Sequence, residues 1–436
     1  MILIYSEKDS PRLRYVVHEL LERRMGLETR ICTNRETFEE YTLPKINYSA
    51  FAIVGALHIY PNGLLQQTTI VNQKIAVVKH PQWQHLFFEQ AGASIPFDIF
   101  AAVFWLLSRY EEYNALDTDE HGRFMHEKAL AYTNGFLNKP LVDIWAEQLG
   151  YVIRQIFPEV MIKKPPFQFL STIDIDFAYR YKGIGVKRGV AKLIKAIFEL
   201  RLTDALQQLQ TIAGAEKDPY DTYTYISKTA QNHSVPLLYF FLLRTGTQFD
   251  KNIDPISADM RALAMKLSRE FACGIHPSYG CTHEMLEGEK KQLEAFTGKN
   301  VSQSRLHFLK INLPYSFTML AAAGIKADYS MGYSKHCGFR ASTSNPFYFF
   351  NLHTNECTSL LLYPSAVMDT ALRYGMKLDT HEAEQTIESC MNEVAKTGGM
   401  FISIWHNSNL SKAEGWMEWR EVFEKMHRLA SIKMQP

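Results

Sequence analysis

Short apolar runs alternate with helical periodicities along the whole chain, and this alternation predicts an α/β fold. In the first part, buried strands are predicted at 1–5, 29–33, 50–54 and 75–78. Pro11 is a plausible helix start, because its fixed φ suits the first helical turn. The residues that follow it recur at helical spacing: Leu13, Val16, Val17, Leu20 and Leu21. A long, nearly all-apolar helix is predicted over 96–113.

The second part repeats this alternation more regularly. Strands are predicted at 167–173, 237–243, 271–275 and 401–405, and two intervening segments each place their apolar residues on one helical face. Such a pattern predicts a parallel sheet with covering helices. The second part is about 270 residues long, which is close to the roughly 250 residues of a (β/α) barrel. Prolines between 158 and 166 mark the boundary, so we expect a smaller α/β domain at 1–160 and a barrel at 166–436.

Charge and cysteine content restrict the classes of partner and the compartment. Lys and Arg number 47 against 46 Asp and Glu, which gives a formal charge of +1. This balance argues against nucleic acid or an anionic membrane as the main partner. Six cysteines without a CxxC pair favour a reducing compartment. The first residues lack a signal-peptide pattern and 95–107 is too short to span a bilayer, so we expect a cytoplasmic protein without a transmembrane segment.

Two carboxylates follow the first strand of the second part, in Ile173-Asp174-Ile175-Asp176. Residues i and i+2 of a strand share a face, and the carboxyl ends of parallel barrel strands form the active site. Two converging carboxylates repel unless a cation joins them or one keeps its proton. The alternative is a helix N-cap next to a solvated Asp.

Histidines end three further apolar segments: His276, His307 and His406. A single histidine at a strand end is more often an ordinary hydrogen-bonded residue. Together with paired aspartates, however, Asp plus two His with an open coordination position is a common hydrolytic metal arrangement. We therefore expect a divalent metal at this site.

The order of these motifs resembles the polysaccharide deacetylase family, carbohydrate esterase family 4. The residues that carry the resemblance are Thr172-Ile173-Asp174 with Asp176, His276-Pro277-Ser278, Arg305-Leu306-His307 and His406. Other segments are similar to a bacterial subgroup of the family with an uncharacterised N-terminal domain: 108–113, 120–124, 140–143, 327–333, 338–341 and 346–347. The resemblance implies a distorted (β/α)7 barrel that uses a divalent metal, with zinc as the first choice, to remove N- or O-acetyl groups from sugars.

Residue roles follow from the same resemblance. Asp174 corresponds to the catalytic base, oriented by Arg305, and His406 to the general acid. Asp176 and His276 correspond to metal ligands, although Ile175 separates aspartates that are usually adjacent and leaves their roles exchangeable. Gly280 stands where the second metal histidine is expected. His307 is the candidate replacement and His283 the second choice, while Tyr279, Arg340 and Trp405 are candidates for substrate contact.

The expected function is hydrolysis of an acetyl group from an acetylated sugar or glycan precursor, with a backbone N–H near Tyr279 helping to stabilise the oxyanion. Two alternatives stay open: an amide hydrolase with a non-sugar substrate, and a degenerate glycan-binding protein, which Gly280 would explain. The polar cluster of Arg109, Glu111, Glu112, His121 and Arg123 is expected to form an ion-paired interdomain surface rather than a second site.

Overall fold

Four parallel strands form a small sheet at the start of the chain, in a computed structural model that describes residues 1–113, 115, 117–413 and 415–435. The strand order is β2-β1-β3-β4. The strands are β1 (Ile2–Ser6), β2 (Thr29–Cys32), β3 (Lys45–Tyr48) and β4 (Leu57–Ile59), followed by an antiparallel pair, β5 (Val78–His80) and β6 (Gln84–Leu86). The α-helices are α1 (Pro11–Val16), which continues as a π-helix over Val17–Arg24, α2 (Arg35–Glu40), α3 (Ile99–Leu107), α4 (Leu130–Thr133) and α5 (Leu141–Ile156).

Three expectations for this region were wrong in position. The strand predicted at 50–54 lies instead at Lys45–Tyr48, because the Asn47 side chain donates to the Phe51 carbonyl at 2.5 Å and holds a turn there. Only Val78 of the segment 75–78 is in a strand. The helix predicted over 96–113 is shorter, since the Asp98 side chain caps its start and Arg109, at φ 54°, ends it.

A curled sheet of nine strands follows, in the order β12-β13-β11-β10-β9-β8-β7-β15-β14. Only the β12–β13 pair is antiparallel among these ladders of the described residues. The strands are β7 (Phe167–Ile175), β8 (Leu237–Phe241), β9 (Ala272–Ile275), β10 (Gln303–Ser304), β11 (Ala327–Met331), β12 (Phe347–Asn351), β13 (Glu356–Pro364), β14 (Val367–Met368) and β15 (Gly399–His406).

Helices connect these strands and cover the sheet: α6 (Val186–Phe198), α7 (Leu202–Ile212), α8 (Tyr223–Asn232), α9 (Ala258–Glu270), α10 (His283–Thr297), α11 (Tyr315–Ala322), α12 (Thr380–Thr397) and α13 (Trp419–Met434). The predicted fold class, a smaller α/β region followed by a barrel-like α/β unit, is confirmed. The sheet nevertheless forms a half-barrel with nine strands where the resemblance implied seven, because the antiparallel β12 and the short β14 add one strand at each edge.

Side-chain alternation in the long strands separates an interior from a helix-facing side. Leu238, Phe240, Tyr329 and Ile402 form a buried cluster on one side of the curled sheet. Trp405 lies on the other side, buried against Phe423 of α13. Because the parallel strands run in one direction, their carboxyl ends meet at one edge, where Asp174 and His406 are register partners.

A buried ion pair, Arg340 with Glu112, and a buried hydrogen bond, Thr343 to Asp143, join the two parts of the chain. Glu112 accepts from Arg109 Nε at 2.8 Å and from Arg340 Nη2 at 2.6 Å, and Asp143 accepts from Arg24 and from the Thr343 hydroxyl. The expected ion-paired surface therefore exists at Arg109, Glu111 and Glu112. The boundary between 1–160 and 166–436 stays a prediction, because residues from both parts share one hydrophobic core.

Candidate metal centre

Three side chains converge at the carboxyl edge of the curled sheet: Asp176 after β7, His276 after β9 and His307 after β10. One ligand atom from each lies within 4.8 Å of the others. His276 Nε2 is 3.2 Å from Asp176 Oδ1, and His307 Nε2 is 3.5 Å from Asp176 Oδ2. His406 Nε2 lies 3.6 Å from the same Oδ2. Asp176, His276 and His307 are the three residues that the sequence predicted as metal ligands, and the structure brings them together.

The partners of the other ring nitrogen fix the orientation of each imidazole. His276 Nδ1 contacts the Arg305 carbonyl, His307 Nδ1 lies 2.9 Å from Asp250 Oδ1, and His406 Nδ1 lies 2.8 Å from Asp369 Oδ1. A carbonyl or carboxylate oxygen only accepts, so each Nδ1 donates and each Nε2 faces Asp176. Carboxylates and carbonyls behind ligating histidines are the usual support of metal sites.

The charge balance of this cluster requires protons or a cation. Burial raises the pKa of Asp176, but His307 and the other two imidazoles outweigh it and hold that pKa well below its usual range. Burial lowers the pKa of His307, whereas Asp176 and Asp250 raise it, to about 9. The buried Asp176 Oδ1 has no hydrogen-bond donor among the described residues. One carboxylate oxygen with two imidazole nitrogens beside it is a donor set that suits Zn²⁺.

Asp174 lies next to this trio in a fixed orientation. Its Oδ1 accepts a 2.7 Å hydrogen bond from Arg305 Nη1, while its Oδ2 is 3.8 Å from His276 Nε2. Arg305 is fully buried, donates from Nε to the Tyr329 carbonyl and lies over the Phe240 ring. The structure thus places Arg305 where it holds one oxygen of Asp174 and leaves the other directed into the site.

His406 ends β15 on the opposite side of the same edge. Asp369 accepts both from its ring and from its backbone N–H, at 2.8 and 2.9 Å. Burial lowers the pKa of His406, but Asp369 and the two site aspartates raise it, to about 10. The imidazolium form is therefore favoured at neutral pH, so this group holds a proton that it can give away.

A cavity of about 440 Å³ opens above these residues. Two of its walls come from the first part of the chain and from the loop after β11, where Glu120 and Lys335 pair at 3.2 Å. Its lining consists of Glu120, His121, Arg123, Asp174, Asp176, His276, 306–309, Ser334, Lys335, Met368, Thr370, Tyr374, Gly375 and His406. His121 and Arg123, expected at an interdomain surface, thus lie at the pocket.

Several predicted site residues lie elsewhere. The Tyr279 N–H donates to Asp250 Oδ1 at 2.9 Å, so it is not free for the oxyanion role expected of it. Arg340 is buried on Glu112, and Trp405 faces α13, so neither side chain reaches a substrate in the cavity. His283 begins α10 outside the cavity lining.

Gly280 stands where the family resemblance places a second metal histidine. Its φ is +68°, a left-handed conformation that favours glycine, and no atom lies within 4 Å of the position that a Cβ would occupy. The His307 imidazole, from the segment after β10, lies beside Asp176 and His276 instead.

Sequence reasoning missed Asp250 and Asp369. Asp369 could have been found, because it directly follows the apolar pair Val367-Met368 of β14 in the same way that Asp176 follows β7. Asp250 lies in an irregular loop after β8 and carries no periodic signal.

Residues 2–158 match a protein family of unknown function, DUF7033. No curated protein matches the chain in sequence. Among solved structures, a candidate polysaccharide deacetylase from Mycobacterium smegmatis is similar at a TM-score of 0.40 and 13% identity, covering 61% of this chain and 85% of that one.

A Puue allantoinase is similar at a TM-score of 0.36 and 10% identity, over 60% of this chain and 83% of that one. A 4-alpha-glucanotransferase from Thermococcus litoralis gives 0.35 and 14%, over 62% of this chain and 37% of that one. Scores this low support no inference about activity, which has to come from the site itself.

Proposed function

We propose that the protein is a metal-dependent hydrolase that removes an acetyl group from an N- or O-acetylated sugar or glycan precursor. The observation that carries the proposal is the convergence of Asp176, His276 and His307, with Asp174 and His406 on either side of them, in one cavity. The sequence resemblance to polysaccharide deacetylases supplies the substrate class.

Asp176, His276 and His307 would hold the metal, and their mixture of nitrogen and oxygen ligands favours zinc. A bound divalent cation supplies a Lewis acid, which lowers the pKa of water from 15.7 toward about 7. The imidazoles are already oriented by Asp250 and by the Arg305 carbonyl, so little reorganisation of the ligands is needed when the cation binds.

The two remaining groups have complementary proton roles. Asp174, with one oxygen fixed by Arg305, accepts a proton from the attacking water while the water oxygen forms a bond to the carbonyl carbon of the acetyl group. His406 donates its proton to the leaving amine or alkoxide as the bond from the carbonyl carbon to the sugar breaks, and acetate leaves. Each such group typically contributes about 10²–10⁴-fold to the rate.

The test is release of acetate from a panel of acetylated sugars and simple acetamides by the zinc-loaded protein. Asp174→Asn and His406→Ala should each lower turnover of the best sugar at least a hundredfold, with unchanged circular dichroism. His283→Ala is the matched control and should keep wild-type turnover. Wild-type turnover in either of the first two variants would overturn the assigned roles, and a preference for non-sugar amides would overturn the substrate class.

A further inference from the structure

Helices α6 and α7 expose an unusual number of large apolar side chains. Along α6, the exposed residues recur at helical spacing and form one stripe: Val186, Val190, Ile194 and Ile197. A second stripe runs along α7: Leu202, Leu206 and Leu209, with Ile212 at its end. The last residue of α6, Phe198, and Leu200 in the following turn are 84% and 82% exposed.

The inner faces of the same helices are made of small or polar residues. Gly189 and Ala196 of α6 are buried, as are Ala205 and Gln208 of α7. The Gln208 amide donates to the Gly189 carbonyl at 2.8 Å and joins the two helices. The large apolar residues of this α6–α7 hairpin, residues 186–212, therefore face away from the protein body.

The exposed apolar surface is larger than an ordinary monomer carries. Ten side chains at about half to full exposure amount to on the order of 1,000 Å², against roughly 300–600 Å² for the largest apolar patch of a typical monomer. An exposed apolar patch of this size indicates a surface that binds a partner protein or a membrane.

The charge of the hairpin indicates which kind of partner it binds. The hairpin, residues 186–212, carries five basic side chains and two acidic ones, while the whole chain has a net charge of only +1. Arg188 bonds to the protein body through the Asn252 carbonyl, whereas the Lys195 side chain is 69% exposed and lies 3.7 Å from Glu199. Arg201 pairs with Glu199 and Asp204. Apolar stripes on basic helices are the signature of segments that lie in the interface of an anionic bilayer.

We propose that the α6–α7 hairpin docks on an anionic membrane surface, with its apolar stripes at the boundary between headgroups and acyl chains. A second copy of the chain would fit less well, because a symmetric contact would place the same basic segment against itself. The excess of basic side chains is confined to the hairpin and does not show in the near-neutral net charge of the whole chain.

The segments that lead into and out of the hairpin are joined beside the candidate metal centre. The Asn407 amide, next to His406, donates to the carbonyls of Phe177 at 2.9 Å and Tyr220 at 3.0 Å, on either side of the hairpin segment. Docking would therefore hold the site close to the bilayer, which suits a lipid-linked sugar. That substrate class rests on the proposed function, whereas docking itself does not.

Co-sedimentation of the full chain with vesicles tests the proposal without any activity measurement. Vesicles of phosphatidylcholine mixed with phosphatidylglycerol should bind the protein at least tenfold more tightly than pure phosphatidylcholine. The triple variant Ile194→Ser, Phe198→Ser, Leu206→Ser should lose at least tenfold of this binding. Lys187→Glu with Lys195→Glu should lose most of the preference for anionic vesicles and of its dependence on salt.

A matched control replaces three apolar residues elsewhere whose combined exposure is greater: Met161→Ser, Ile256→Ser and Ile432→Ser. This control should bind anionic vesicles like the wild type. Failure of the wild type to bind, or equal binding by the hairpin variant, would overturn the proposal. A dimer in sedimentation equilibrium that the hairpin variant dissociates, without vesicle binding, would assign the patch to a second copy instead. Because activity is not the readout, failure of the proposed hydrolysis would leave the docking result unaffected.

Discussion

Replacement of Glu112 by Gln tests how strongly the two parts of the chain depend on their shared ion pairs. Glu112 is buried between Arg109 and Arg340, with oxygen-to-nitrogen distances of 2.8 and 2.6 Å. The neutral amide would leave two guanidinium groups buried near each other with half of their counter-charge. Removing one partner of a buried pair typically costs about 3–5 kcal/mol.

The pKa of Glu112 gives an independent magnitude. Burial raises it, but Arg340 and Arg109 outweigh burial and lower it from 4.5 to about 2. A shift of this size corresponds to about 3 kcal/mol of stability. The folded pKa is depressed, so this contribution is present above the unfolded pKa of 4.5 and is lost as pH falls through about 2. We expect Glu112→Gln to lower the free energy of unfolding by about 3 kcal/mol at pH 7.

Urea unfolding followed by circular dichroism measures this difference, and Glu39→Gln is the matched control. Glu39 pairs with Arg35 at 2.6 Å, the same distance as Glu112 with Arg340, but both side chains are largely exposed. The control should cost less than about 1 kcal/mol. The difference between wild type and Glu112→Gln should shrink below pH 4.5. Equal losses in the two variants, or a difference that does not change with pH, would refute the reasoning.

Two further predictions concern the site. Asp369→Asn removes the negative charge beside His406, so the pKa of that imidazole should fall from about 10. The alkaline limb of the pH–rate profile should then move to lower pH. An unshifted limb would contradict the role of His406 as the general acid. Because the pKa of His307 is about 9, a proton and a metal compete for it at neutral pH, and zinc affinity should fall about tenfold per unit as pH drops from 8 to 6. Calorimetric titration that shows a pH-independent affinity would argue against His307 as a ligand.

The second part of the chain was easier to predict than the first. Strands such as β7 and β15 are rich in apolar residues, and most of their positions are buried on both sides of the sheet, so their composition indicates strands. In the first part, the apolar run at 50–54 is instead a turn, because the Asn47 side chain satisfies backbone groups that a strand would have paired. A local hydrogen bond of this kind leaves no periodic trace.

The site shows the same division. Asp174 and His406 lie at the ends of strands, and Asp176 and His276 directly follow strands, so the apolar runs before these residues were enough to single them out as candidates. His307 became a candidate only because Gly280 stands where the family resemblance places a metal histidine, so that another residue had to be found for this role. The contribution of His121 and Arg123 to the cavity, and the burial of Arg340 on Glu112, depend on how the two parts pack, which no local pattern records.

The metal content of the purified protein is the measurement that tests the central claim most directly. The account predicts stoichiometric divalent metal in the wild type after zinc loading and dialysis, its loss in His307→Ala, and its retention in His283→Ala. A wild-type protein that retains no metal, or a His307→Ala variant that retains as much as the wild type, would contradict the assignment of Asp176, His276 and His307 as the metal centre.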